Sequence, residues 1–108
     1  MTRTQQKKYY QAKLAKIVEY LKNGYKPEKI ILFGSMLDPK KQSNDIDLFL
    51  IKNTNLKRLG DRAQEAEEYI PFNDIPIDLI VYTPKEVSQF RNESVLLHEV
   101  FKGKTLYG

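Results

Sequence analysis

Between positions 10 and 21, apolar side chains return every three or four residues: Tyr10, Leu14, Ile17, Val18 and Leu21. That spacing predicts an amphipathic helix, ended by Asn23-Gly24 with Pro27 beyond. The period then changes. Ile30-Ile31-Leu32-Phe33 is an unbroken apolar run after Lys29, the pattern of a strand covered on both faces. A polar loop over 36–44 leads to a second strand over 45–52, and Asn53-Thr54-Asn55 reads as a turn and helix cap. Leu59, Ala63, Ala66 and Ile70 mark one face of a second helix, stopped by Pro71. A third strand covers 75–82. Thr83-Pro84-Lys85-Glu86 combines a capping box with proline at the first helical position, so a helix begins there with Val87 and Phe90 inward. A further helical stretch over 94–101 carries Val95, Leu96, Val100 and Phe101, with Gly103 placed to cap it. Residues 104–107 form a last short strand or an extended tail.

Helices interleave with strands, which predicts a small α/β fold with a mixed β-sheet of three to four strands flanked by helices. At 108 residues the chain suits a single domain over 1–108 with one modest core. It has no cysteine, which excludes a disulfide scaffold and thiolate metal sites and makes the cytoplasm the expected compartment. No apolar stretch approaches the ~20 residues of a membrane span, and residues 1–6 lack the apolar region of a secretory signal. The net charge of +4 is uneven: residues 1–29 hold eight Lys/Arg against two Glu. Such a segment can attract nucleic acid or an acidic partner. No aromatic-interleaved basic motif accompanies it, so a solvated lysine-bearing helix face is the better reading, and direct nucleic-acid binding through Lys7, Lys8 and Lys13 is the weaker alternative.

The polar exceptions carry the chemistry. Asp45 and Asp47 stand at alternate positions entering an apolar strand, so their side chains share a face. Asp78 interrupts the third strand among Ile77, Leu79, Ile80 and Val81. Charges in such strands are costly to bury without compensation. If the two strands are neighbours, Asp47 and Asp78 come side by side, and a divalent cation relieves the repulsion. Mg²⁺ suits a few carboxylates plus phosphate oxygens. Gly34-Ser35, closing the first strand, offers backbone N–H groups and a hydroxyl to phosphate. The set reads as a metal–nucleotide site, with Asp78 a further ligand or the group that takes the acceptor's proton. Taken singly, each feature is more often structural: strand aspartates occur at sheet edges, and Gly-Ser is commonly just a turn. His98, the single histidine, reads as structural, and Arg58 and Arg62 as surface partners of Asp61, Glu65 or Glu68.

Ile31-Leu32-Phe33-Gly34-Ser35, Asp45-Ile46-Asp47-Leu48 and Ile77-Asp78-Leu79-Ile80 together resemble the signature of the DNA polymerase β-like nucleotidyltransferase superfamily. The short length is similar to its minimal nucleotidyltransferase branch. The likeness extends to the leading helix, the Thr83–Glu86 helix start and the ending Lys102-Gly103-Lys104-Thr105-Leu106-Tyr107-Gly108, and so covers nearly the whole chain. It implies Mg²⁺ and a nucleoside triphosphate, with Gly34 and Ser35 nucleotide-binding, and Asp45, Asp47 and Asp78 as metal-binding and catalytic carboxylates. It also implies an antitoxin that transfers AMP from ATP to a tyrosine of a HEPN-domain toxin. The alternative is a non-catalytic nucleotide-binding antitoxin that neutralises its partner by contact. The chain departs from the minimal branch's Gly-Ser-x-Ala-Arg-Gly at Met36-Leu37-Asp38-Pro39, where the arginine is absent and Lys40 and Lys41 offer replacement charge. Nucleotide base, acceptor and oligomeric state stay open.

Overall fold

The computed structural model describes residues 2–38 and 45–108. The first helix, α1 (Arg3–Tyr20), opens with a capping box in which Thr2 Oγ1 accepts from the Gln5 N–H while the Gln5 side chain accepts from the Thr2 N–H. It buries Tyr10, Leu14 and Ile17. The helix does not end at Gly24. It widens into a π-turn over Leu21–Tyr25 and stops at Lys26, whose φ of 59° is left-handed. Gly24 has another use: a Cβ there would overlap the ring of Tyr69.

The strands are β1 (Lys29–Phe33), β2 (Ile46–Ile51), β3 (Ile77–Tyr82) and β4 (Lys104–Tyr107). They form one four-stranded sheet in the order β3-β2-β1-β4. β1 runs antiparallel to β2 and to β4, and β2 runs parallel to β3, so the sheet is mixed as expected. Between β2 and β3 comes α2 (Leu59–Glu67), and between β3 and β4 come α3 (Pro84–Phe90) and α4 (Val95–Phe101).

Alternation along the strands divides the core into two layers. Ile30, Leu32, Ile46, Leu48, Leu50, Leu79 and Val81 face α1 and α2, where they meet Leu14, Ile17, Leu21 and Ala66. Ile31, Phe49 and Ile51 face α3 and α4, where they meet Val87, Leu97 and Val100. Helices on both faces explain why β1 and β2 carry almost no polar residues.

The second helix departs from the periodicity. It starts at Leu59 behind Arg58, well after residues 53–55, where Thr54 Oγ1 only accepts from the Leu56 N–H in a local turn. Leu59 is exposed and Arg62 is buried, the reverse of expectation. Arg62 is no surface partner of its neighbours. Its guanidinium donates to the Leu56 and Val81 carbonyls and to Glu86, with Nη1 2.7 Å from Glu86 Oε1. Glu86 also completes the α3 capping box by accepting from the Thr83 N–H. One buried cation therefore ties α2, β3 and the start of α3 together. Phe90 turns outward although Val87 is buried, and Val95 at the start of α4 is almost fully exposed. His98 is exposed on α4, not part of the core.

Candidate functional site

Strand register assembles the site. Asp47 is the partner of Phe33 on one side and of Asp78 on the other, so three strands deliver the end of β1, Asp47 and Asp78 to one place. On the α3–α4 face the file Ile51, Phe49, Asp47 runs beside Tyr82, Ile80, Asp78. Each file is apolar where helices cover it and becomes acidic beyond them. Asp45 precedes β2 by one residue, in phase with Asp47. Carboxylate oxygens of Asp45, Asp47 and Asp78 all lie within 4.8 Å of one another. Asp45 and Asp47 are partly buried and Asp78 is exposed.

The electrostatics suit a cation. Burial, then the charges of Asp45 and Asp78 and a hydrogen bond shared with Asp78, push the Asp47 carboxyl up to about 6. Among the described residues, no ion pair involves any of the three. A cluster that raises its own central carboxyl and has no basic partner among the described residues fits a hard divalent ion with oxygen ligands.

Gly34 links this cluster to the loop after β1. Its φ is 84° and ψ is −156°, a region that side chains rarely enter. A Cβ at position 34 would also overlap the carboxylate of Asp47. The backbone conformation calls for glycine, and the Gly34-Ser35 turn lies directly against the central carboxylate. Ser35 opens a single 3₁₀ turn, Ser35–Leu37, with the Leu37 N–H bonded to the Gly34 carbonyl. The five residues singled out from the sequence thus converge on one end of the sheet. Lys40 and Lys41 lie outside the described residues.

The sequence pattern does not reveal a groove of about 440 Å³ beside the turn, walled by Gly34, Ser35 and Asp38 and by Glu99, Lys102 and Gly103 from the end of α4. The signal that could have found it is Gly103. A Cβ there would fall on the carbonyl of Leu32, so this glycine permits close approach to β1 more than it caps a helix.

In the N-terminal basic segment, Lys13 has a structural role. Lys13 pairs with Asp74 at 3.3 Å and lies 4.1 Å from the centre of the Phe72 ring. Tyr9 donates to the same Asp74. Among the described residues, no helix is long and apolar enough to cross a membrane.

Residues 15–108 match the family described as polymerase beta, nucleotidyltransferase. Among solved structures, the chain is similar to one described as a mutant of the toxin–antitoxin MntA-HpeT. The TM-score is 0.53 at 26% identity, covering 87% of this chain and 71% of that one. No curated protein matches the chain.

Proposed function

Because the chain belongs to the polymerase β nucleotidyltransferase family, in its minimal branch, we propose that it transfers AMP from ATP to a hydroxyl of a partner protein, as the antitoxin of a toxin–antitoxin pair. The observation that carries this reading is the register pairing of Asp47 with Asp78, with Gly34 packed on the Asp47 carboxylate. It joins a metal-ligand set to a phosphate-accepting turn at one sheet end.

The family generally uses Mg²⁺, and the three carboxylates fit it. Bound there, the ion supplies positive charge to the triphosphate and polarises its α-phosphoryl group. The chain's own residues do the remaining work. Asp45 and Asp47, the partly buried members, would hold the ion together with Asp78. Backbone N–H groups at Gly34-Ser35 and the Ser35 hydroxyl hold the terminal phosphates. Asp78, the exposed member, faces the side from which an acceptor arrives and takes its proton. The acceptor oxygen bonds to the α-phosphorus, the bond from that phosphorus to its bridging oxygen breaks, and pyrophosphate leaves with the electron pair.

The acceptor proposed here is a separate protein. Similarity to a toxin–antitoxin structure supports a toxin as the acceptor, and a tyrosine of a HEPN-domain protein is the specific proposal. The test is label transfer from α-labelled ATP, with γ-labelled ATP and Asp47→Ala as controls, to the product of the adjacent gene. Label from the α-position alone, absent with Asp47→Ala, is the expected result. An unlabelled but stably bound and silenced partner would replace catalysis with neutralisation by contact.

A further inference from the structure

The groove walled by Gly34, Ser35 and Asp38 adjoins the turn proposed above to hold the triphosphate. Residues 34–38 offer N–H groups and a hydroxyl there but no cation, and Asp38 adds a negative charge. Among the described residues walling the groove, Lys102 is the one cation.

Its place is fixed by backbone. The Gly103 N–H donates to the Val100 carbonyl at 2.9 Å, closing α4. Gly103 lies against the Leu32 carbonyl so closely that only glycine fits, and Lys104 pairs with Leu32 in the sheet. Residues 102–104 are thus pinned beside the end of β1, two residues before Gly34. The Lys102 side chain itself is loosely held. Its Nζ lies 3.6 Å from Glu99 Oε1, and the two side chains are 73% and 64% exposed. A pair this exposed is weak, and a rotamer change exchanges the carboxylate for a phosphate.

We propose that Lys102 binds the terminal phosphates of the nucleoside triphosphate and stabilises the departing pyrophosphate. This inference rests on the nucleotidyl-transfer reading and adds a residue to its site. As the bond between the α-phosphorus and its bridging oxygen breaks, the electron pair passes to pyrophosphate, and Lys102 meets the added charge. Glu99 is the weak counter-charge that the phosphates displace.

The test is calorimetric titration of Mg²⁺–ATP, Mg²⁺–pyrophosphate and AMP into wild type, Lys102→Ala, Lys102→Arg and Glu99→Gln, with unfolding midpoints confirming intact folds. Lys102→Ala is expected to weaken ATP and pyrophosphate about tenfold or more, as for loss of a charge-assisted hydrogen bond. AMP binding stays unchanged, Lys102→Arg restores most of the affinity, and Glu99→Gln does not weaken it. Wild type and Lys102→Ala binding Mg²⁺–ATP equally would overturn the role of Lys102 and leave the nucleotide site standing. Wild type binding neither ATP nor pyrophosphate would overturn the nucleotide site and this inference with it.

Discussion

Replacing Asp47 by asparagine should make the metal-free protein more stable. The change keeps the shape that packs against Gly34 and removes only the charge. The Asp47 carboxyl rises from 3.8 to about 6 in the folded state, through burial first and then the charges of Asp45 and Asp78. A rise of about two pH units is worth ~3 kcal/mol at ~1.4 kcal/mol per unit. The side chain keeps part of its contact with water, and screening reduces this to ~1–2 kcal/mol. The sign follows from linkage. Below the unfolded value both states hold the proton and the site costs nothing. Between about 4 and 6 only the folded state holds it, so wild-type stability falls as pH rises through this window. Above it the full penalty persists. Urea unfolding in the presence of a chelator at pH 4, 5, 6 and 7.5 should therefore give coincident curves at the acid end. By pH 7.5 Asp47→Asn should lead by ~1–2 kcal/mol. A variant less stable than wild type at pH 7.5, or a gap that does not change with pH, would refute the reasoning.

Other substitutions probe the surrounding architecture. Gly34→Ala forces a side chain into a positive-φ conformation and onto the Asp47 carboxylate; it should cost about 1–3 kcal/mol in urea unfolding and abolish Mg²⁺–ATP binding in the same preparation. Arg62→Ala removes the guanidinium donor from the Leu56 and Val81 carbonyls and leaves Glu86 only the Thr83 N–H, and should destabilise by about 3 kcal/mol with α2 exchanging its amide hydrogens first. Glu86, held below the usual carboxylate range chiefly by the Arg62 hydrogen bond, contributes stability above its unfolded value near 4.5 that is lost as pH falls through its lower folded value. In acid titration followed by circular dichroism, Glu86→Gln should remove that part of the acid sensitivity.

The sequence made the site legible because strand chemistry is local. An aspartate inside an apolar run is costly to bury without compensation, and period-two alternation fixes which residues share its face. β1 lies where its apolar run predicts, and the Thr83–Glu86 capping box forms as its spacing requires. The one condition left open, that β2 and β3 are neighbours, is met in parallel register. Legibility failed where a distant partner decides. Arg62 resembles any surface arginine until Glu86 and the Val81 carbonyl receive it. Leu59 looks inward by spacing, but α2 begins there and its buried face is set by Arg62 and Ala66. Gly24 and Gly103 look like helix ends; one makes room for Tyr69 and the other for the backbone of β1. No local pattern encodes those approaches.

In the proposed function, Asp45, Asp47 and Asp78 form one divalent-metal site that a nucleoside triphosphate completes. Mn²⁺ titration followed by electron paramagnetic resonance, with and without ATP, tests it most directly. Wild type should bind Mn²⁺, and hold it more tightly when ATP is present, while Asp47→Asn should show no comparable site. Equal Mn²⁺ binding by wild type and Asp47→Asn, or an affinity that ATP leaves unchanged, would contradict it.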